Sequence, residues 1–306
     1  MSERPISEEL RPRAFAVAYR MLGSVSEAED IVQEALLRLH VVLEQGQRIE
    51  SPRAYLSTVV TRLCIDQLRS ARVRRESYVG EWLPEPLVDD SRSDPADHAE
   101  LADSLSLAFL VLLESLTPEQ RAAFVLRDVF DYPYEQIAAI IGTGEDNARQ
   151  LVARARKHVD ERRPRFEASQ QRREQLARTF LAAFSNGDLQ ALEELLARDV
   201  VLHGDGGGRV RAITRPVHGR AKVARVLLSG MRAGEPFGGW SLRQVQVNGQ
   251  PGGMVSDAAG KLIAVVVLDI ADGRIQAVRA IGNPDKLRHL DQKATESRDT
   301  RPGGPL

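Results

Sequence analysis

The sequence predicts a multidomain protein in which two all-α helical domains are followed by one α+β domain. Helix caps and helical periodicity dominate up to about residue 165, whereas strand-like runs separated by turns dominate after residue 170. The chain has 306 residues, 42% of them hydrophobic, which suffices for two or three separate cores. The expected segments are a helical domain (5–77), a linker (78–99), a second helical domain (100–165), an α+β domain (170–287) and a disordered tail (288–306).

Charge is segregated along the chain, although the formal net charge is only −1. Residues 53–75 contain six arginines and one aspartate, whereas residues 76–103 contain nine acids and one arginine. The basic stretch is a candidate for phosphate contacts. The acidic stretch contains three prolines and no sustained period, which is typical of an extended linker.

A single cysteine, Cys64, excludes a disulfide within the chain and a cysteine-based zinc site. It lies between two apolar residues, where a small core residue is expected. Residues 1–13 are polar and charged, and the longest apolar run, 262–268, is too short to span a bilayer. We therefore expect a cytoplasmic protein that has no metal site and no cofactor.

The first helical domain is predicted from caps and from one apolar stripe. Ser26 and Glu29 have the spacing of a capping box, and Ser51 precedes a proline at the first helical position. The buried stripe of the second helix contains Ile31, Val32, Ala35, Leu36 and Leu39. Four polar side chains are left on its exposed side: Asp30, Gln33, Glu34 and Arg38.

The helix that begins at Pro52 is predicted to carry positive charge along most of its length. Nearby acids do not compensate this charge, which favours a surface that follows phosphates over a merely solvated face. The basic residues in question are Arg62, Arg69, Arg72, Arg74 and Arg75.

Residues 117–159 follow the pattern of a helix-turn-helix. Thr117, Pro118 and Gln120 form a capping box with proline at the first helical position, and an apolar stripe continues to Phe130. A second helix is predicted over 134–141. Gly142-Thr143-Gly144 then forms a short turn before a third helix that opens at Glu145.

The third helix of this motif is the candidate for reading duplex DNA. Its apolar face contains Ala148, Leu151, Val152, Ala155 and Val159. Arginine and amide side chains read purine edges, and basic side chains suit phosphates. The candidate DNA-binding residues are Glu145, Asp146, Asn147, Arg149, Gln150, Arg154 and Lys157.

The third domain is predicted to begin with two helices, one through Phe184 and one over 189–197 with Asp188 as its cap. Strands are predicted over 200–203, 240–248, 254–256, 261–270 and 275–280. Asp272-Gly273 is a hairpin signal between the last two. His203 and Asp205 are of the types that perform acid/base catalysis, but beside three glycines they are equally explained as turn residues.

The order of these parts resembles the extracytoplasmic-function sigma factors of the sigma-70 family. Residues 28–35 are similar to region 2.2, which in the family binds the clamp helices of RNA polymerase. Residues 51–75 are similar to regions 2.3 and 2.4, which engage the melted minus-10 element, and 134–156 resemble region 4.2, which reads the minus-35 duplex. Gly144 departs from the family, in which serine usually caps the third helix.

What the resemblance implies is a role for each candidate set. Asp30, Gln33 and Glu34 are expected to contact the polymerase core, whose clamp helices and flap bind such proteins. The arginines of the 52–75 helix are expected at the minus-10 element, and the exposed face of the 145–159 helix is expected at the minus-35 element.

Three further motifs resemble the subgroup with a C-terminal SnoaL-like domain, a cone-shaped α+β fold, as in SigJ-type sigma factors. They are Trp82-Leu83-Pro84-Glu85-Pro86, Asp205-Gly206-Gly207-Gly208 and Asn283-Pro284-Asp285-Lys286-Leu287. In that subgroup the extension is thought to regulate the sigma core within one chain. We therefore expect Trp82 to dock on the third domain, with this set in contact: Trp82, Pro84, Asp205, Gly206, Asn283, Asp285 and Lys286.

Two other functions are compatible with the motifs. A stand-alone helix-turn-helix regulator with a ligand-sensing C-terminal domain would need only residues 134–157 for DNA binding, and an unknown small ligand would then occupy the third domain. A SnoaL-like cyclase or isomerase fused to a DNA-binding module would need His203 and Asp205 for turnover. The resemblance favours a sigma factor that is not an enzyme.

Overall fold

The computed structural model describes residues 6–76, 78–88, 105–161, 169–210, 212–234 and 239–299. The chain forms two compact units. Unit 1 combines residues 1–77 with 109–163, and unit 2 combines residues 78–108 with 164–306. The two predicted helical domains thus share one unit, and the linker belongs to the same unit as the α+β domain.

Unit 1 begins with three helices: α1 (Ile6–Leu22), α2 (Val25–Glu44) and α3 (Pro52–Glu76). The predicted cap at Ser51 is confirmed, because its hydroxyl accepts from the amide of Ala54 at 3.2 Å. The predicted cap at Ser26 is wrong. Helix α2 starts one residue before it, and Ser24 accepts from the amide of Glu27 instead, since Ser24-Glu27 repeats the same cap spacing two residues earlier.

Four helices follow the linker: α4 (Leu107–Leu113), α5 (Pro118–Phe124), α6 (Tyr134–Ile141) and α7 (Glu145–Asp160). The capping box at Thr117 and Gln120 is confirmed in both directions, with bonds of 3.1 and 3.2 Å. After α5 the chain widens into one π-helical stretch, Val125–Val129. It ends before Asp131, whose φ of 53° turns the backbone toward α6.

Unit 2 contains two helices, α8 (Gln170–Ser185) and α9 (Leu189–Leu195), before its first strand. Asp188 caps α9 as predicted, because its carboxylate accepts from the amide of Ala191 at 3.0 Å. Helix α9 stops short of the predicted 197, and the strand starts at Leu196. Leu196 and Ala197 are buried, so burial within the sheet outweighs their helical propensity.

The sheet has six strands: β1 (Leu196–Asp205), β2 (Val217–His218), β3 (Trp240–Val247), β4 (Gln250–Asp257), β5 (Leu262–Ala271) and β6 (Arg274–Ile281). Their spatial order is β2-β1-β6-β5-β4-β3. β1 and β6 are parallel and the other neighbours are antiparallel. The predicted hairpin at Asp272-Gly273 is confirmed, because both residues have positive φ between two paired strands.

Strand β2 and helix α10 (Arg220–Gly234) were not predicted. The segment contains glycines and a proline at turn-like spacing, which favours a loop on sequence alone. The helix forms because Val223, Ala224 and Leu228 lie on one face and are buried in the core. Phe180, Leu192 and Leu202 belong to the same core, which fills the space between the helices and the sheet.

The prediction of a disordered tail from residue 288 is wrong for its first part. Helix α11 runs over Pro284–Asp299, and residues 300–306 lie outside the described ranges. Leu287 and Leu290 are buried at the i, i+3 spacing of one helical face. Proline at the first helical position also suits a helix start, so this polar segment is anchored by two apolar contacts.

Candidate nucleic-acid and linker-docking sites

The helix-turn-helix is formed by α6, a glycine turn and α7. Gly142 ends α6 with φ 80°, a left-handed conformation that glycine adopts without steric cost. Gly144 precedes α7 with φ −79° and no side-chain cap. Ile137, Ala148 and Val152 pack in one core cluster, which fixes α6 against α7 and leaves the opposite face of α7 exposed.

All the predicted minus-35 residues lie on that exposed face: Glu145, Asp146, Asn147, Arg149, Gln150, Arg154 and Lys157. Two of them have partners within the motif. Arg149 pairs with Glu145 and its guanidinium lies 4.6 Å from the ring centroid of Tyr134. Asn147 donates to the hydroxyl of Thr143 at 2.7 Å. The arginine and the amide are therefore held near the start of α7.

Two of the predicted minus-10 arginines bind the helices of the second half of unit 1. Arg62 donates to the carbonyls of Ile140 at 2.9 Å and Ala139 at 3.0 Å, at the end of α6. Arg69 pairs with Glu119 on α5 at 2.7 Å. The side chains of Arg72, Arg74 and Arg75 lie outside the described residues, although α3 continues through them.

Burial is the largest single effect on Glu119 and opposes its ionisation, but the hydrogen bonds from Arg69, from its own backbone amide and from Thr117, together with the charge of Arg69, keep the pKa of Glu119 below its usual value. The same bond raises the pKa of Arg69. The pair is half-exposed, so its contribution to stability is small. Its effect is to keep the charge of Arg69 directed at α5.

Buried polar contacts also connect the two halves of unit 1. The hydroxyls of Ser57 and Tyr132 are hydrogen-bonded at 2.7 Å. Arg121, which is 1% exposed, donates to the carbonyl of Arg20 at 3.0 Å and pairs with Glu114. Burial lowers the pKa of Arg121 to about 9. Because a buried guanidinium is costly to leave unpaired, these contacts favour the packed arrangement of unit 1.

The predicted core-binding residues Asp30, Gln33 and Glu34 are exposed on α2. Two apolar residues that the sequence reasoning missed lie one and two turns further along the same side of this helix. Leu37 is 58% exposed and Val41 is 41% exposed. Leu37 follows Gln33 by four residues and Val41 follows Glu34 by seven. This is the spacing of one helical face, and it could have predicted the shared exposure from the sequence. The polar and apolar side chains together form one exposed strip on α2.

In unit 2 the carboxylate of Asp205 is the centre of a buried polar cluster. Asp205 is 1% exposed. Its Oδ1 accepts from the hydroxyl of Tyr78 at 2.6 Å and from the amide of Gly207 at 3.0 Å. Its Oδ2 accepts from the amide of Leu83 at 2.8 Å and from Nζ of Lys286 at 2.6 Å. Both carboxylate oxygens are thus saturated.

The same cluster also holds Trp82, the tryptophan of the linker. The ammonium of Lys286 lies 4.3 Å from the ring centroid of Trp82 and also donates to the carbonyl of Leu83. Pro84, the next linker residue, is buried. Cation–π contacts strengthen when they are desolvated, and Lys286 is only 6% exposed. Lys286 therefore binds the linker by a cation–π contact with Trp82 and by a hydrogen bond to the carbonyl of Leu83.

The glycine loop and the start of α11 complete the cluster. Asn283 donates to the hydroxyl of Tyr78 at 2.9 Å and accepts from the amide of Asp285 at 3.0 Å. Asp285 in turn pairs with Arg209 at 3.3 Å. A Cβ at Gly206 would lie 2.6 Å from Cβ of Ala212, so only glycine fits there. Of the predicted contact set, Trp82, Asp205, Asn283, Asp285 and Lys286 are joined here by hydrogen bonds and one cation–π contact.

Two linker residues were missed by the sequence reasoning. Tyr78 bonds to both Asp205 and Asn283, and burial together with the bond to Asp205 raises its pKa. Glu81 lies 3.0 Å from Nδ1 of His203. In the sequence, only the proximity of these two residues to Trp82 could have indicated that they take part in docking. The two residues considered for acid/base catalysis, His203 and Asp205, are therefore both occupied by the linker.

Comparison with known proteins agrees with this architecture. Residues 6–74 match the sigma-70 region 2 family, residues 106–159 match the sigma-70 region 4 family, and residues 177–278 match the SnoaL-like domain family. The chain is 38% identical to the ECF RNA polymerase sigma factor SigJ of Mycobacterium tuberculosis, over 97% of this chain and 96% of that protein. The chain belongs to the extracytoplasmic-function sigma factors.

Other relatives of this sigma factor support the assignment. It is 34% identical to the probable ECF RNA polymerase sigma factor SigI of Mycobacterium tuberculosis, over 94% of this chain and 96% of that protein. The crystal structure of Mycobacterium tuberculosis SigJ matches with a TM-score of 0.74 and 36% identity, over 92% of this chain and 96% of that chain. The predicted fold class and sigma-factor function are thus confirmed.

Within the ranges that the structure describes, this sigma factor has no helix with both the length and the apolar character needed to cross a membrane.

Proposed function

We propose that this sigma factor binds RNA polymerase core through α2, binds promoter DNA through α3 and α7, and is regulated in cis by the docking of its linker on the SnoaL-like domain. Sigma factors act with the polymerase core and promoter DNA, and their relatives here are not named as enzymes. The observation that carries the regulatory part is the saturated, buried carboxylate of Asp205, which binds Tyr78 and Leu83 of the linker and Lys286 of α11.

The strip on α2 has the chemistry of a protein interface. Leu37 and Val41 supply exposed apolar surface, and Asp30, Gln33 and Glu34 supply a polar border. An apolar centre with a polar rim is the usual arrangement at such interfaces. We therefore assign the polymerase core to this strip, with the two apolar residues as anchors.

At the minus-35 element, Arg149 has the strongest geometry for base readout. Its guanidinium is stacked on Tyr134 and bonded to Glu145, so its side chain loses little freedom on binding. DNA would replace the carboxylate by a guanine edge, which accepts two bonds from arginine. Arg149→Ala should cost about 1 to 3 kcal/mol at one base step, and unchanged sequence preference in a binding assay would contradict the assignment.

At the minus-10 element, the proposal requires a change within unit 1. Arg62 and Arg69 are bound to α6 and α5, so they reach DNA only if those bonds are released. Glu119→Gln removes one of these partners without touching a predicted DNA-binding residue. It should increase binding of single-stranded minus-10 DNA by the free chain. Unchanged binding would contradict the proposal that Glu119 and the DNA compete for Arg69.

The SnoaL-like domain is proposed to act as a docking platform. The linker occupies His203 and Asp205, and apolar side chains fill the space between its helices and sheet. Neither feature favours turnover. The proposed role is to hold Trp82 and Leu83, and through them the chain that joins regions 2 and 4. Trp82→Ala should change promoter output, with Trp240→Phe as the control for loss of an indole.

The first experiment is co-elution of the purified chain with bacterial RNA polymerase core, followed by run-off transcription from genomic fragments. Co-elution with promoter-specific transcripts is expected. If wild-type chain and the α2 variant Leu37→Asp eluted equally with the core, the assigned strip would be wrong. If no chain co-eluted and none supported transcription, a stand-alone DNA-binding regulator would replace the proposal.

A further inference from the structure

A second set of linker contacts lies at the turn between β3 and β4, away from the three motifs already described. This turn is Asn248-Gly249, with φ of 54° and 70°, the conformation that tight hairpins require. An Asn-Gly pair is common at such a turn without any other role. Here, however, Asn248 is 1% exposed, which a simple surface turn does not explain.

Asn248 is bonded both to Leu87 in the linker and to Leu105, two residues before α4. Its amide donates to the carbonyl of Leu87 at 2.8 Å, and its Oδ1 accepts from the amide of Leu87 at 2.9 Å. Its Nδ2 donates to the carbonyl of Leu105 at 2.9 Å. Val88 also forms an antiparallel bridge with Val247. The side chain of Asn248 thus joins Leu87 to Leu105.

Gln250 binds the start of α4, two residues after Leu105. Its Oε1 accepts from the amide of Leu107 at 3.0 Å, the first residue of α4. Its Nε2 donates to Asp269 at 2.7 Å, and Asp269 pairs with Arg279 at 2.9 Å. Gln250 is 3% exposed. Because its donor is already bound to a carboxylate, the amide oxygen is oriented toward the linker.

We propose that Asn248 and Gln250 form a linker clamp, a positioning site that holds Leu87 close to Leu105 and so shortens the reach between regions 2 and 4. Leu87 and Leu105 are 18 positions apart in the sequence, and their bonds to Asn248 keep them together at one turn. An extended chain spans roughly 3.3 Å per residue, so the clamp removes about 55 Å from the greatest separation that the linker permits.

The consequence rests on the proposed sigma function. Regions 2 and 4 are expected to bind two promoter elements at a set distance, and the linker limits how that distance can vary. With the clamp closed, the chain should favour one spacer length. With the clamp open, templates whose spacer is a few base pairs longer should be transcribed relatively better.

The decisive variant is Asn248→Gly in the full chain. Glycine tolerates the positive φ of the turn, so the change removes the side-chain bonds to Leu87 and Leu105 and keeps the hairpin. Asp272→Gly is the matched control, because Asp272 has φ 51° at the β5–β6 turn. Asn248→Asp keeps the acceptor for Leu87 and loses the donor for Leu105.

Hydrogen exchange of the free chain tests the clamp directly. In Asn248→Gly the amide of Leu87 should exchange about tenfold faster, the effect of losing one buried hydrogen bond. The amide of Leu83, which is bound to Asp205, should be unchanged. Asp272→Gly should change neither, and Asn248→Asp should leave Leu87 protected. Unchanged exchange at Leu87 in Asn248→Gly would overturn the clamp.

Run-off transcription from paired templates of short and long spacer tests the consequence. The preference of the wild-type chain for one spacer should fall about threefold or more in Asn248→Gly, in line with a longer closed loop, and should stay in Asp272→Gly. Altered exchange with an unaltered preference would overturn the spacing role. Absence of transcription by the wild-type chain would overturn the sigma function, while the exchange result would still decide the clamp.

Discussion

Asp205→Asn should destabilise unit 2 by about 3 to 5 kcal/mol, the cost of removing one partner from a buried ion pair. The carboxylate accepts two bonds at each oxygen, with donors at Tyr78, Gly207, Leu83 and Lys286. An asparagine amide places an NH2 group against two of these donors in either orientation. The side chain of Lys286 is 7% exposed, so its charge is left without a partner.

The assay is urea unfolding followed by the fluorescence of Trp82, in a Trp240→Phe background that leaves one tryptophan. With a slope of about 2 kcal/mol per molar urea, the loss corresponds to a midpoint lower by about 1.5 to 2.5 M. Lys286→Met in the Asp205→Asn chain should recover part of the loss, because a neutral buried side chain needs no countercharge.

Asp257→Asn is the matched control for this prediction. Asp257 also accepts two backbone amides, from Ala259 and Lys261, but it lies at the end of β4, where it is only partly buried. Asparagine keeps one oxygen for these donors, so the change should cost less than about 0.5 kcal/mol. A midpoint for Asp205→Asn within about 0.3 M of its parent would refute the assignment of Asp205 as the centre of linker docking.

Gly207→Ala should destabilise unit 2 by about 1 to 3 kcal/mol more than Gly273→Ala in thermal melts. Both glycines have positive φ. A Cβ at 207 would collide with Nδ2 of Asn283, whereas a Cβ at 273 would have nothing within 4 Å. Equal losses would show that only backbone strain matters. Gly144→Ser should raise the unfolding free energy of unit 1 by a few tenths of a kcal/mol, because α7 lacks a side-chain cap. A Cβ at 144 would have nothing within 4 Å, so a lower unfolding free energy in this variant would contradict the prediction. Tyr78→Phe should flatten the pH dependence above pH 10. Burial and a hydrogen bond raise the pKa of Tyr78 above its model-compound value of 10.0, so its stabilisation is complete below about pH 10 and is lost as the pH rises through the folded-state pKa. Unfolding free energies at about pH 8 and 10.5 test this, and identical slopes in both chains would refute it.

Local signals predicted the helix-turn-helix closely. The capping box at Thr117, the start of α7 at Glu145 and the glycine turn all follow from short-range chemistry, which a sequence displays directly. Helix α10 was not predicted, because its flanking glycines and proline resemble a loop, whereas burial of Val223, Ala224 and Leu228 in the core stabilises the helix. The tail helix α11 was missed for the same reason.

The docking set shows how far a resemblance extends. Trp82, Asp205, Asn283 and Lys286 lie far apart in the sequence, and their proximity was expected only from the family motifs. The structure brings them within bonding distance. Tyr78 belongs to the same cluster and was missed, because nothing about an isolated tyrosine in a linker indicates a hydrogen bond to a distant carboxylate.

The sequence by itself determined the helical and α+β parts, the exposed face of α7 and the family, because caps, periodicity and motifs are local properties of the chain. Only the tertiary structure decided which polar groups are buried together. Arg62 and Arg69 turned out to bind α6 and α5, and Asn248 turned out to join Leu87 to Leu105. Such pairings depend on packing between distant segments, since a buried donor must find an acceptor wherever the fold places one.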